Sequence, residues 1–397
     1  MRNATRGHKP DHVLLIIAAA LLAIGLVVVY SVSPGMSALA GVSEGYYISR
    51  QLVAITLGII AFLVMSKFPY RNLNKILIPL IVLSVISTLA VRIVGEEING
   101  AYRWIQIGGL SFQPAELVKF TILIWVADFF ANKRAQGRLA DTKSIFIALG
   151  IVAVLVVVLI GFMQSDLGSS AVIMAILGVV IFLSGMPLVN VLRIAIAVVI
   201  LAVLMIAPSE YRRGRLSTFM NPAADCQNEG YQSCQALIAV GSGGLFGLGL
   251  AKSVQAYGYL PEATNDSIFA VLGEKFGFVG VASVLALFVA LLMRLARISE
   301  RAPDDFSKFL VIGILAWFSV QSIINIGAML GVLPLKGITL PFVSYGGTSV
   351  LFVMGALGLA FQVSRYSSLM GKKRIENESL AYGRGQRRAY HASASRR

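Results

Sequence analysis

One carboxylate in this sequence stands apart. Asp266 follows Pro261-Glu262-Ala263-Thr264-Asn265 and has no Lys or Arg within four positions on either side. A carboxylate entering a low-dielectric mouth without a cationic neighbour has its pKa pushed up, which suits a general base. The competing reading is a helix N-cap, for which Asp is a favoured residue. Glu274 comes eight residues later, about two helical turns deeper on nearly the same face, with Lys275 beside it.

Cations gather elsewhere. Tyr211-Arg212-Arg213-Gly214-Arg215 carries three arginines in four positions, and Arg103, Lys252 and Lys336 stand singly. Arginine forks match phosphate oxygens better than any other common anion. Lipid headgroup contact is the alternative for the arginine run. Glycines 241, 243, 244, 247 and 249 follow it. They either let backbone N–H groups approach a phosphate or permit close helix packing.

Three further groups of polar residues interrupt or border apolar runs. In NGAYRWIQIGGLSFQPAELVK, residues 99–119, Pro114 suits a first helical turn, and Glu116 and Lys119 fall three apart on one face. Their pairing is either structural or substrate-contacting. Gln164-Ser165-Asp166-Leu167-Gly168 reads as a tight turn or a re-entrant dip, with Asp166 capping the next helix or lining a cavity. The stretch 333–347 holds two prolines and three glycines, so it cannot run as a regular helix. It is expected to fold back and bring Lys336, Ser344 and Tyr345 toward the other groups.

The inventory also excludes chemistry. The three histidines, His8, His12 and His391, all lie near the termini. That removes Ser-His-Asp hydrolysis, His-ligated zinc and His proton relays. No G-x-x-x-x-G-K-[ST] occurs. Cys226 and Cys234 are the only cysteines. They form either a disulfide closing a small loop or two free thiols.

The elements that must position these residues are membrane spans. The chain has 397 residues, 57% hydrophobic and 13% charged, where a soluble domain carries roughly a quarter charged. Apolar runs long enough to cross a bilayer fall at 13–32, 48–66, 76–94, 114–132, 144–162, 169–185, 192–208, 266–293, 308–328 and 348–364. The expected fold is therefore all-α, a polytopic membrane protein of about ten helices, with one long connection, 209–265, too polar and irregular for lipid. The first run is too long for a signal-peptide core and lacks a small-residue cleavage site, so it is taken as the first span.

Placing both termini in the cytoplasm puts most of the 34 Lys and Arg inside, as basic residues near span ends require. The polar groups above then sit on the outer face, where the arginine run breaks the positive-inside rule. The net charge of +15 follows from that rule and a basic tail, so nucleic acid is not an expected partner. Three parts follow: a segment 1–12, a membrane domain 13–366, and a basic tail 367–397 expected to be disordered.

At GAYRWIQIGGLSFQPAEL, QSDLGSS, the stretch from GSGGLFGLGL to LPEATNDSIFAVLGE, and LPLKGITLPFVSYGGTS, the chain closely resembles the SEDS family of polytopic peptidoglycan polymerases, the FtsW and RodA proteins. The resemblance covers residues 13–366. It implies a ten-span fold and a glycosyltransferase that polymerises lipid II, the undecaprenyl-pyrophosphate-linked disaccharide-pentapeptide. The family's essential Asp of its P-E-x-x-x-D motif maps onto Asp266, although Ser267 stands where the family pattern differs, and only Glu274 survives from its later acidic pair.

Lys336 and Thr339 resemble the division branch, FtsW, which implies a place at the septum. The resemblance further implies Asp266 as general base, with Arg103, Arg212, Arg213, Arg215, Lys252 and Lys336 as cations for the pyrophosphate. Ser344 and Tyr345 stand nearby, and Glu116, Lys119, Gln164, Asp166, Glu262 and Glu274 support the site. A divalent ion, Mg or Mn, would bridge the pyrophosphate, with no protein metal site. The implied partners are a class B penicillin-binding protein acting as transpeptidase and other division proteins. A lipid II flippase and a non-catalytic scaffold are the rival readings.

Overall fold

The computed structural model describes residues 9–98, 100–139, 141–206, 219, 226–228, 230–334 and 337–366. The helices are α1 (His12–Ala40), α2 (Tyr46–Lys67), α3 (Leu73–Val94), α4 (Pro114–Ala135), α5 (Thr142–Val156, continued as a π-helical turn Val157–Phe162), α6 (Leu167–Leu183), α7 (Leu188–Ile206), α8 (Tyr231–Ser242), α9 (Ile268–Glu300), α10 (Asp305–Met329) and α11 (Gly347–Tyr366). Among the described residues, seven helices are long and apolar enough to cross a membrane: α1, α2, α3, α5 with its π-helical turn, α9, α10 and α11. The remaining expected spans fall on α4, α6 and α7. Charges at both ends of α4 lower its hydropathy, and α6 has only 17 residues where about 20 cross a bilayer unaided.

The helix ends follow local chemistry. Asp11 caps α1, its carboxylate accepting from the Val13 and Leu14 N–H groups, and Gly41 ends the helix at φ 64°. Asp304 and Ser307 form a reciprocal capping box on α10. In their most apolar stretches α10 and α11 are 67% and 83% buried, against 22% for α2, so these two helices are the centre of the bundle. Helices α4, α6 and α9 pack around α10, while α2 and α3 present apolar faces outward, as lipid contact requires.

Two features depart from an all-helical reading. The segment before α4 is a three-stranded antiparallel sheet, β1 (Glu96–Ile98), β2 (Ala101–Ile107) and β3 (Leu110–Phe112). Gly108 and Gly109, at φ 57° and 82°, supply the two positive-φ positions of a tight hairpin turn. The long connection 209–265, expected to be too polar and irregular for lipid, contains α8, and Cys226 and Cys234 are joined in a disulfide.

Helix α9 is broken at Gly277, φ 63° and ψ −163°, a conformation essentially closed to residues with a side chain. The glycine-rich segment after α8 fills the break. Leu248 and Gly249 donate to the carbonyls of Glu274 and Lys275, while Phe278 and Val279 donate back to Gly244 and Leu245. A Cβ on Gly277 would lie 2.3 Å from the Gly247 nitrogen, and one on Gly247 2.2 Å from the Lys275 oxygen. The glycines therefore serve backbone packing at this break. Gly277→Ala is expected to lower stability by about 2–4 kcal/mol, combining strain with overpacking, and the thermal midpoint of the purified protein checks it.

Candidate functional site

Asp266 sits in the turn that leads into α9, and Ser267, not Asp266, is the N-cap. The turn is self-braced. Glu262 adopts φ 52°, its carbonyl accepts from the Asn265 and Ser267 N–H groups, and its Oε2 accepts from Asn265 Nδ2 at 2.6 Å. Asn325 of α10 donates from Nδ2 to the carbonyls of Asp266 and Ile338, both at 2.7 Å, which ties this turn to the segment before α11. Such bonds fix the backbone from which the carboxylate projects.

Gly337 lies beside both that carboxylate and the Arg103 guanidinium. A Cβ built on Gly337 would be 3.1 Å from Asp266 Oδ2 and 3.8 Å from Arg103 Nη1. Arg103 projects from β2, and its position is set from the other side: Nε donates to the Gln164 carbonyl at 3.1 Å and Nη2 to the Ser165 carbonyl at 2.7 Å. Ser165 turns at φ 51°, and Asp166 caps α6 by accepting from Ser169 N at 2.9 Å. Asp166 also accepts from Gln113 Nε2 at 3.2 Å. The hairpin, the α5–α6 turn, the Asp266 turn and the last loop thus converge on the Asp266 carboxylate and the Arg103 guanidinium.

The last loop folds back as expected. Ser344 Oγ donates to the Asn265 carbonyl and accepts from Leu340 N, both at 2.7 Å, and Tyr345 N donates to the Thr264 carbonyl at 2.9 Å. The Ser344 hydroxyl is thereby committed to holding the loop. Tyr345 is pushed above its usual pKa by burial, partly opposed by Arg50. Its ring meets Tyr47 edge-on at 5.7 Å, and Arg50 stacks on Tyr46 at 4.3 Å.

Glu116 and Lys119 lie deeper and are enclosed, with side chains 3% and 1% exposed and N···O at 2.6 Å. Lys119 also donates to Gln321 Oε1, which accepts from Trp317 Nε1, while Gln321 Nε2 donates to the Thr339 carbonyl. Glu274 is wholly buried and accepts the N–H groups of Val254, Gln255 and Ala256, so its charge holds the chain that leads into the Asp266 turn. Lys252 is exposed, on the same connection. Arg212, Arg213, Arg215 and Lys336 lie outside the described residues. Gln164 is fully buried, and its side-chain amide has no hydrogen-bond partner.

Sequence reasoning did not find Arg50, Tyr47, Gln113 or Asn325. Arg50 and Tyr47 open an ordinary apolar span, and Asn325 lies inside one. The signal for Asn325 was available, since a buried amide in a span needs partners and so marks a junction.

A helical membrane protein whose polar loops close over a carboxylate and a guanidinium at one end of the bundle is the class that fold and site define. The chain belongs to the FtsW, RodA and SpoVE family described as cell cycle proteins, whose pattern matches residues 11–369. It is 37% identical to the probable peptidoglycan glycosyltransferase FtsW of Saccharophagus degradans, covering 89% of this chain and 92% of that protein. It is 36% identical to the stage V sporulation protein E of Bacillus subtilis, over 91% and 99%. Among solved structures, a chain of a peptidoglycan synthase complex that coordinates polymerization and crosslinking superposes with a TM-score of 0.72 at 28% identity, over 90% of this chain and 98% of that one. The rod shape determining protein RodA of Thermus thermophilus gives 0.66 at 28% identity, with the same coverage.

Proposed function

We propose that this multi-pass membrane protein is a peptidoglycan glycosyltransferase that polymerises lipid II into glycan strands, with Asp266 as general base. The observation that carries the reading is the Asp266 carboxylate and the Arg103 guanidinium brought together beside Gly337, in a chain of this family. Asp266 accepts the proton of the acceptor sugar 4-hydroxyl as that oxygen attacks the donor's anomeric carbon. The bond from that carbon to the pyrophosphate oxygen breaks, undecaprenyl pyrophosphate leaves with the electron pair, and the centre inverts. Arg103 meets the charge growing on the leaving group, where a pre-placed cation lowers the barrier most. Arg212, Arg213, Arg215, Lys252 and Lys336 are the further cations that the sequence offers to the pyrophosphate, with Tyr345 as a further polar contact.

Among the described residues no group of three His, Cys, Asp or Glu is placed to hold a metal ion. A Mg or Mn ion would arrive on the pyrophosphate, and no step above depends on it. The polar mouth faces outward with both termini cytoplasmic, as the distribution of basic residues favours. Lys336 and Thr339 place the protein in the division branch, at the septum, with a class B penicillin-binding protein as crosslinking partner among other division proteins. The synthase complex that this chain superposes on supports such a pairing.

Polymerisation from purified lipid II in detergent micelles tests the assignment against a flippase, because micelles have no two compartments to move lipid between. Glycan polymer from the protein with its partner supports the enzyme. Lipid II movement across vesicles without polymer in micelles supports the transporter. Arg103→Lys keeps the charge but cannot fork across the Gln164 and Ser165 carbonyls. It is expected to slow polymerisation about 10-fold, the size of one lost charge-assisted hydrogen bond, measured as initial rate.

A further inference from the structure

A second polar cavity lies at the far end of α9 from Asp266. It has a volume of about 430 Å³ and is lined by Lys9, Asp11, His12, Arg294, Arg297 and Arg301, with Ser364 of α11 closing it. Arg294, Arg297 and Arg301 recur at the spacing of one helical face. The walls are fastened together. Asp11 accepts from Arg294 at 2.8 Å to Nε and 2.6 Å to Nη2, while its own N–H donates to Ser364 Oγ at 3.0 Å. His12 packs edge-on against Phe361 of α11 at 6.0 Å between ring centroids.

Asp11 is the one acid in this lining, and its carboxylate is already shared between Arg294 and the first turn of α1. Arg297 and Arg301 are exposed and join no ion pair among the described residues. The cavity is thus a concave, preformed site with a surplus of positive charge. Its rim is apolar on one side: Val13 lines it, and Ile16, one turn along α1, is 66% exposed. A soluble anion has no use for that rim, whereas a molecule with a phosphate head and hydrocarbon tails matches both surfaces.

We propose that this cavity binds the phosphate headgroup of an anionic membrane lipid, with Arg297 and Arg301 on the phosphate and the acyl chains running along α1 past Ile16. The site is separate from the Asp266 mouth and needs no assumption about the reaction there. Basic residues near a membrane surface each strengthen binding to anionic lipid by about fivefold, so two in one pocket give a readable effect.

The experiment is native mass spectrometry of the full-length protein titrated with phosphatidylglycerol or with phosphatidylcholine of the same chains. Wild type is expected to prefer phosphatidylglycerol, and the double variant Arg297→Gln/Arg301→Gln to lose about 30-fold of that affinity. Lys143→Gln/Lys308→Gln removes equal charge at the same end outside the cavity and is expected to change it less than about twofold, since screening confines such effects to short range. Equal losses in both double variants, no preference for phosphatidylglycerol, or displacement by inorganic phosphate at the lipid's own concentration would each overturn the proposal. Both double variants leave Asp11, Arg294 and Ser364 in place, and unchanged thermal midpoints confirm that each remains folded.

Discussion

Lys119→Met is expected to destabilise the protein by about 3–5 kcal/mol, the cost of leaving one partner of a buried ion pair behind. Glu116 Oε1 has Lys119 at 2.6 Å, and Glu116 Oε2 has no hydrogen-bond partner among the described residues, so the carboxylate left behind would be dry and unsupported. It would have to take up a proton to stay in place. The lysine also donates to Gln321, which bonds Thr339 in the segment before α11, so the loss spreads from α4 toward the last loop. The double variant Glu116→Gln/Lys119→Met removes both charges and is expected to recover more than half of the loss. Unfolding free energies of the three proteins in mixed detergent check this, and a double variant as unstable as the single one would mean that the ion pair itself holds the fold.

Much of the bundle was legible because lipid imposes a length. A run such as 268–293 must be helical to satisfy its backbone, and apolar to stay in the membrane. The break at Gly277 was not legible, because Phe276-Gly277-Phe278 continues the apolar run without any change of period. Only the glycine-rich segment from Gly243 to Gly249, 28 to 34 residues before Gly277, shows why that helix opens. The β-hairpin was missed for a different reason. Ile105-Gln106-Ile107-Gly108-Gly109-Leu110-Ser111-Phe112 alternates around a Gly-Gly pair, a hairpin signal overshadowed by the strong helix start at Pro114.

The candidate site divides in the same way. Asp266 was legible by its isolation in sequence, and Arg103 as a lone cation in a polar group bordering an apolar run. Their meeting beside Gly337 depends on four separate segments coming together, which local pattern cannot carry. Glu274 looked like a second acid of the site, yet three backbone N–H groups occupy its carboxylate. Sequence shows that a charge is buried; its partners decide what it does.

Asp266→Asn is expected to slow polymerisation by about 10²- to 10⁴-fold, the usual contribution of a positioned general base. The amide nearly matches the carboxylate in shape, and the turn that carries it is braced by Glu262, Asn265, Ser267 and Asn325 through bonds that do not involve the Asp266 carboxylate. Asp266→Glu keeps a base but moves it by one carbon, and misplacement of about 1 Å costs about 10²-fold. It is expected to fall between the wild type and Asn.

The most direct test compares initial rates of glycan polymerisation from purified lipid II in micelles by the wild type and by Asp266→Asn, each with its transpeptidase partner and each shown to share one thermal midpoint. Polymer from the wild type, with at least about a 10²-fold loss in the variant, is the expected result. Equal polymerisation by both proteins would contradict the assignment of Asp266 as the base.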